Sequence, residues 1–184
     1  MVKLLTNCII PFLSRPTENI HQAELSKLTK TQHTTLRLWL NQLVSEGILQ
    51  KDSKGRLTLY SLNFQNPSTF QYILLAEKSN LINKCENSLL LKELTNYLVQ
   101  NIDGDMLIFG SAVESIKDAN DIDLIIIGKY NPEKIEIISS KINKEIHIIN
   151  IMTITEISET LKKEIIKKHL LIKNSEKLLR WMLW

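Results

Sequence analysis

The sequence predicts an α+β fold in two parts, and three observations lead to this expectation. Apolar residues recur at helical spacing through most of residues 1–47, and two strand-like runs follow around a turn at residues 51–55. A polar stretch at residues 63–68, which contains Pro67, then interrupts the pattern. Beyond it, helical segments precede alternating strands and helices, so we expect the second part to contain a sheet.

Composition limits the classes of protein to which the chain can belong. Its 184 residues are enough for one medium domain or two small ones, and 43% hydrophobic with 23% charged residues is typical of a soluble globular protein. No apolar run approaches the roughly 18 residues that a membrane-spanning helix needs, so we expect no membrane partner. The two cysteines, Cys8 and Cys85, suggest neither a disulfide framework nor a zinc site, and we therefore expect a cytoplasmic protein.

Charge is unevenly distributed along the chain, although the net charge is only +3. Residues 1–66 carry 8 Lys or Arg and 4 Asp or Glu, whereas residues 67–128 carry 4 and 9; the remaining residues are again basic. An acidic centre between basic flanks suits a cation site beside surfaces that bind polyanions. Charged residues on solvent-exposed surfaces, segregated by chance along the chain, would give the same pattern.

The N-terminal part reads as three helices and a hairpin. Helices are predicted over residues 2–13, 19–29 and about 32–45, and Gly47 is placed to end the third. Strand-like runs on both sides of residues 51–55 then predict a hairpin with a basic tip.

Residues 24–62 resemble the winged-helix domains of many bacterial and archaeal regulators. The resemblance is carried by the short second helix, the Thr-rich turn, the run "TTLRLWLNQLVSEGIL" and a wing that ends in "LYSL". It implies a winged helix-turn-helix domain over residues 1–66 that binds double-stranded DNA, with the third helix in the major groove. The implied DNA-binding residues are Lys30, Thr34, Thr35, Arg37, Asn41, Lys54 and Arg56. Winged helices also serve as dimerisation or protein-docking modules, and that alternative remains open.

Residues 67–87 are expected to form a connecting helix, and residues 88–184 a second domain. In that domain Met106 to Phe109 reads as a buried strand that ends in Gly110 and Ser111, and "DIDLIIIG" reads as the next strand. Alternate residues of a strand face the same side, so Asp121 and Asp123 project together. Two adjacent carboxylates repel each other, and a divalent cation such as Mg²⁺ would offset the repulsion.

This combination resembles the nucleotidyltransferase superfamily typified by DNA polymerase β, and within it the minimal nucleotidyltransferases. The matching residues are Phe109-Gly110-Ser111 and, after a gap of nine, Asp121-Ile122-Asp123-Leu124. The resemblance implies a small mixed-sheet nucleotidyltransferase-like domain that uses Mg²⁺ (or Mn²⁺) and an NTP as donor, with ATP as the expected NTP. Asp121 and Asp123 would bind the metal and Gly110 and Ser111 the nucleotide phosphates. A winged helix joined to such a domain also resembles a group of archaeal predicted nucleotidyltransferases.

The chain departs from the family pattern at two places. Ala112 to Ser115 follow the Gly-Ser pair where a basic residue and a glycine are usual, and Glu114 has the opposite charge. A third carboxylate is expected on the following strand, where Glu145 could act as the third catalytic residue, but His147 shares its face. The sequence leaves open which of the two occupies the third position.

Two functions follow as hypotheses. One is an enzyme that transfers a nucleotidyl group, AMP in the antitoxin members of the family, to a protein acceptor encoded nearby, and that is targeted or autoregulated through its winged helix. The other is a non-catalytic transcriptional regulator whose nucleotidyltransferase-like domain acts as a sensor or dimerisation platform. Trp181, Met182 and Trp184 at the C-terminus suggest packing on a neighbour, in keeping with a homodimer.

Overall fold

The computed structural model describes residues 2–55 and 57–184, without the side chains of residues 2, 3 and 54. Helices and two small sheets make up the chain, in agreement with the predicted α+β class. Its contacts divide it into two units, Met1–Ser79 and Asn80–Trp184. The division falls within residues 67–87, the segment that the sequence analysis assigned to a connecting helix. Among the described helices, none combines the length and apolar character needed to cross a membrane.

Up to residue 62, the described residues of the first unit form three short helices, a 3-10 turn and a three-stranded antiparallel sheet. The elements in chain order are α1 (Val2–Ile9), a 3-10 turn (Ile10–Phe12), β1 (Ile20–His21), α2 (Gln22–Thr29), α3 (His33–Ser45), β2 (Leu49–Lys54) and β3 (Leu57–Leu62). The strand order is β1-β3-β2, and β2 and β3 pair from Leu49↔Leu62 to Lys54↔Leu57.

Local sequence accounts for the boundaries of these helices. Helix α3 buries Leu36, Leu40 and Leu43 completely, which is the stripe expected for one helix face. It ends before Gly47, which takes a φ of 72°, a value that L side chains rarely adopt. Helix α2 begins later than predicted, because the His21 ring Nδ1 caps it by accepting a hydrogen bond from the Ala23 amide (3.1 Å).

Helix α4 (Pro67–Asn87) follows the hairpin and extends through the division between the units. Pro67 suits the first turn of a helix, where its missing N–H removes no hydrogen bond. The side chain of Asn66 accepts a hydrogen bond from the Ser68 amide (2.9 Å) and so satisfies one of the free donors at this end.

The second unit is built on a four-stranded mixed sheet of order β6-β5-β4-β7. Its elements are α5 (Leu89–Asn101), β4 (Asp105–Phe109), β5 (Asp121–Ile127), α6 (Pro132–Ile142), β6 (Glu145–Ile151), α7 (Glu159–Lys167), β7 (His169–Lys173) and α8 (Ser175–Leu183). Strands β5 and β6 are parallel and are joined through α6, whereas β4 is antiparallel to both of its neighbours.

The main core of this unit lies between the sheet and helices α5 and α6. Ile122, Leu124 and Ile126 of β5 belong to it, together with residues from both helices. The alternate residues Ile125 and Ile127 face the other side of the sheet and are buried as well. Asp121 and Asp123 lie on that second side, where β5 begins.

Candidate functional site

Four polar side chains meet where strands β5 and β6 begin. In the parallel pairing Asp121 is opposite Glu145 and Asp123 is opposite His147. Residues paired in this way project from the same face of a sheet, as do residues i and i+2 of one strand. The two aspartates that the sequence predicted to project together therefore share their face with both candidates for the third position.

The imidazole of His147 lies among the three carboxylates. Its Nδ1 is 3.3 Å from Asp121 Oδ2 and 4.0 Å from Asp123 Oδ1, and its Nε2 is 3.1 Å from Glu145 Oε1. The two aspartates are about one-third exposed and the imidazole about half exposed, at 35%, 33% and 52% of their side-chain surface. Solvent and small solutes can therefore reach the group.

Gly110 completes this group from the neighbouring strand. Phe109 pairs with Asp123 in the antiparallel ladder, so the next residue reaches the Asp123 carboxylate. A Cβ added at Gly110 would be 2.6 Å from Asp123 Oδ2, and its φ of 76° with ψ of −149° also disfavours any L side chain. Glycine at this position lets the backbone approach the carboxylate.

The electrostatics of Asp123 reflect this environment. Partial burial raises the pKa of its carboxyl above the ordinary value, and the charge of Asp121 raises it further, while His147 lowers it. The folded chain therefore holds the ionised form of Asp123 less favourably than water does. A bound cation would offset both the burial and the repulsion.

The donor atoms of Asp121, Asp123 and His147 are close enough for one cation. An oxygen from each aspartate and a ring nitrogen all lie within 4.8 Å of one another. Carboxylate oxygens suit Mg²⁺ and Mn²⁺, and imidazole nitrogen suits first-row transition ions, so the donor set fits a divalent metal. Glu145, the expected third catalytic carboxylate, lies beyond the imidazole rather than in this set of donors.

The Gly-Ser pair leads into a tight turn. Ser111 is exposed and begins a 3-10 turn (Ser111–Val113), and its carbonyl accepts a hydrogen bond from the Glu114 amide (3.1 Å). Ser111 is therefore accessible to solvent on the loop that follows Gly110. A serine so placed can donate a hydrogen bond to a phosphate oxygen.

Two lysines from distant parts of the chain lie at the turn that carries Glu114, the acid that departs from the family pattern. Lys168 Nζ is 2.8 Å from Glu114 Oε1, and this hydrogen bond and charge, with a further contribution from Lys84, hold the pKa of Glu114 below its ordinary value. Lys84 Nζ donates to the Val113 carbonyl (2.7 Å), and partial burial lowers the pKa of its ammonium. The sequence did not predict that either lysine lies at this turn, because no local pattern connects residues 84 and 168 with it.

A cavity of about 670 Å³ adjoins the same turn. It lies between residues 80–90, at the end of α4 and the start of α5, and residues 113–117. Neither the Gly-Ser pair nor the acidic cluster lines it. This cavity is therefore separate from the candidate metal ligands.

In the first unit, the residues implied to bind DNA lie mainly on the exposed side of α3. Thr34, Arg37 and Asn41 are exposed, Thr35 is half-buried, and Lys30 is exposed at the end of α2. Thr34, Arg37 and Asn41 follow the spacing of one helix face. Two further predictions, Arg56 and the side chain of Lys54, lie outside the described residues.

The second unit thus brings two carboxylates and an imidazole close together, with the backbone of Gly110 against one of the carboxylates. Such an arrangement can hold a divalent cation and admit an anionic ligand to it. Comparisons with protein-family models, with curated proteins and with solved structures found no match for this chain.

Proposed function

We propose that the chain is a divalent-metal-dependent nucleotidyltransferase of the DNA polymerase β-like type with an N-terminal winged helix. Its donor would be an NTP, with ATP as the first candidate, and its acceptor a hydroxyl group on a protein. The observation that carries the proposal is the Asp121–Asp123 pair on one strand face with the Gly110 backbone against it.

In the proposed reaction, the acceptor hydroxyl oxygen attacks the α-phosphorus of the NTP. A new O–P bond forms, the bond from the α-phosphorus to the oxygen that bridges the α- and β-phosphates breaks, and pyrophosphate leaves. The proton of the acceptor hydroxyl passes to solvent water. The metal would supply charge neutralisation at the phosphates. Asp121 and Asp123 would hold it, the backbone at Gly110 would let a phosphate approach, and the hydroxyl of Ser111 would donate to a phosphate oxygen.

In the proposed reaction, positioning of the reactants and charge compensation lower the barrier, and no covalent enzyme intermediate forms. Phosphoryl transfer needs little covalent chemistry from the protein, and aligned reactants with charge compensation supply most of the acceleration. Repulsion between Asp121 and Asp123, together with the partial burial of Asp123, would be relieved when the metal and nucleotide bind. The site thus favours the loaded state over the free one.

The first test is transfer from α-phosphate-labelled ATP, and from the other NTPs, in the presence of Mg²⁺ or Mn²⁺, with a neighbouring gene product as acceptor. We expect label on the acceptor with wild type and at least a hundredfold less with Asp121→Asn or Asp123→Asn. Asp103→Asn removes an exposed acid of the same unit and should transfer as wild type does. Undiminished transfer in both site variants, or absence of both transfer and metal-dependent NTP binding in wild type, would refute the proposal.

The N-terminal unit is proposed to bind double-stranded DNA through α3. An exposed polar helix face fits the major groove, and Arg37 and Lys30 would pair with phosphates. Arg37→Ala should weaken binding to DNA from the chain's own promoter and reduce the slope of log affinity against log salt by about 1. Lys78→Ala, at an exposed position of α4, is the matched control. Binding that neither the Arg37 substitution nor added salt alters would remove this part of the proposal.

A second candidate function is a non-catalytic regulator that senses a nucleotide. Glu114 on the turn after Gly-Ser and His147 in place of a carboxylate favour it. Metal-dependent NTP binding without transfer, together with a change in DNA affinity when NTP is added, would distinguish this function from the enzyme.

A further inference from the structure

We infer that His147, through Nδ1, is the third protein ligand of the cation held by Asp121 and Asp123, that Glu145 positions its imidazole, and that the site prefers Mn²⁺ to Mg²⁺. This inference deepens the proposed function and rests on its assignment of the two aspartates as metal ligands. It concerns the identity of the metal and is tested by binding as well as by turnover.

The strand register places the imidazole beside the aspartates. His147 pairs directly with Asp123, and its Nδ1 is 3.3 Å from Asp121 Oδ2. Glu145 pairs with Asp121, and these are the first residues of β6 and β5. At this position 75% of the Glu145 side-chain surface is exposed. Its carboxylate contacts Nε2 of the imidazole and is not one of the grouped donors that could share a cation.

The two ring nitrogens of His147 have different neighbours. Nδ1 faces Asp121 and Asp123, and Nε2 is 3.1 Å from Glu145 Oε1. Metal-bound histidines commonly direct the second ring nitrogen at a carboxylate, which fixes the tautomer and the ring plane. With a proton on Nε2, the free lone pair of Nδ1 is directed to the space between the aspartates. Glu145 then acts as a positioning residue and not as a ligand.

The donor set decides the metal preference. Mg²⁺ demands oxygen ligands in near-ideal octahedral geometry, and imidazole is a poor replacement for one of them. Mn²⁺ accepts carboxylate oxygen as readily and binds nitrogen better than Mg²⁺ does. Two carboxylate oxygens and one imidazole nitrogen, each on a side chain that is partly exposed, leave the remaining positions open for water and phosphate.

The experiment is Mn²⁺ titration of the full chain followed by electron paramagnetic resonance, with Mg²⁺ as competitor. We expect Mn²⁺ to bind at least about tenfold more tightly than Mg²⁺, and pulsed spectra to show coupling to a directly bound nitrogen. His147→Ala should abolish that coupling and weaken Mn²⁺ binding by about 10- to 100-fold. His33→Ala, which removes an exposed histidine of α3, should change neither.

Two conservative variants separate ligation from positioning. Glu145→Gln should keep the nitrogen coupling while weakening Mn²⁺ binding by about tenfold, because the imidazole loses its anionic partner. His147→Asp restores a third carboxylate and should shift the ratio of Mn²⁺ to Mg²⁺ affinity towards Mg²⁺ by at least about tenfold. Circular dichroism of each variant checks that the substitution, which is at an exposed position, leaves the fold intact.

Three results would overturn the inference. The first is Mn²⁺ binding that depends on Asp121 but shows no coupling to nitrogen. The others are equal affinities for Mn²⁺ and Mg²⁺, and a His147→Ala variant that binds Mn²⁺ as tightly as wild type does. Its failure is distinguishable from failure of the transferase. Nitrogen-coupled Mn²⁺ without label transfer supports the ligand assignment and refutes the enzyme. Label transfer with Mg²⁺ but without nitrogen coupling of bound Mn²⁺ supports the enzyme and refutes the ligand assignment.

Discussion

Replacing Gly110 by alanine tests whether the backbone at the Gly-Ser turn belongs to the metal site. The added Cβ would lie 2.6 Å from Asp123 Oδ2, whereas ordinary van der Waals contact begins at 3.4 Å. The carboxylate oxygen would thus move by about 0.8 Å. Asp123 Oδ1, the oxygen that faces His147, would move with it because the carboxylate group is rigid. Metal–ligand distances tolerate only about 0.2 Å, so the displaced carboxylate no longer fits the cation.

The same substitution also strains the backbone. A φ of 76° with a ψ of −149° is a conformation that essentially only glycine adopts, and holding another residue in such a region costs about 1–3 kcal/mol. We therefore expect the free energy of unfolding to fall by about 1–3 kcal/mol. Mn²⁺ affinity should fall at least about tenfold, which corresponds to about 1.4 kcal/mol.

Urea unfolding and Mn²⁺ titration of the same preparation measure the two effects. Gly55→Ala is the matched control, because Gly55 has a φ of 62° but a Cβ there would meet nothing within 4 Å. It should lower stability by about 1–2 kcal/mol and leave the metal affinity unchanged. A Gly110→Ala chain that binds Mn²⁺ as tightly as wild type would refute the placement of this backbone at the site.

Three further predictions concern stability and reactivity. Asp105→Ala should lower the free energy of unfolding in urea by about 1–3 kcal/mol, because the buried carboxylate accepts hydrogen bonds from Asn174 (2.5 Å) and Lys177 (2.6 Å); an unchanged midpoint would contradict this. In metal-free protein, Asp123→Asn should raise stability at neutral pH by less than about 1 kcal/mol, since the raised pKa of Asp123 means that its ionised form opposes folding. That gain should shrink as the pH falls through the folded pKa and vanish below the unfolded pKa, as unfolding curves at several pH values would show. Burial raises the pKa of the Cys8 thiol to about 12. An alkylating reagent should therefore modify the half-buried Cys85 first and Cys8 only on unfolding, which mass spectrometry would detect.

Local patterns were sufficient to predict the parts of the site that lie on one strand. The spacing of Asp121 and Asp123 fixes their common face, because side chains alternate along any strand. That inference does not require knowing which strands are neighbours. The close approach of Gly110 to the Asp123 carboxylate, in contrast, depends on the pairing of β4 with β5 and did not follow from the sequence.

The choice between Glu145 and His147 could not be made from the sequence, because both lie on the same face of β6. The parallel register places His147 beside Asp123, and the side-chain conformations then place the imidazole among the carboxylates. The register of β6 on β5 depends on how the connecting helix α6 packs against the sheet, which is a property of the tertiary structure. The approach of Lys84 and Lys168 to Glu114 escaped prediction for the same reason.

In the first unit, the error in the start of the second helix has a similar origin. Residues 19–21 fit a helical apolar pattern, but Ile20 and His21 pair with Tyr60 and Leu59 as a short edge strand. The partner strand lies some forty residues further along the chain, so the helical pattern carried no sign of it. The stripe of α3, in contrast, followed from periodicity alone.

Equilibrium binding of ATP with and without a divalent metal tests the central claim most directly, because the claim is that Asp121 and Asp123 bind a metal and through it a nucleotide. We predict that wild type binds ATP in the presence of Mn²⁺, and that both chelation and the Asp121→Asn/Asp123→Asn double substitution reduce the affinity at least about a hundredfold, or about 2.7 kcal/mol. Nucleotide binding that survives both treatments, or a chain that binds no NTP with either metal, would contradict the account.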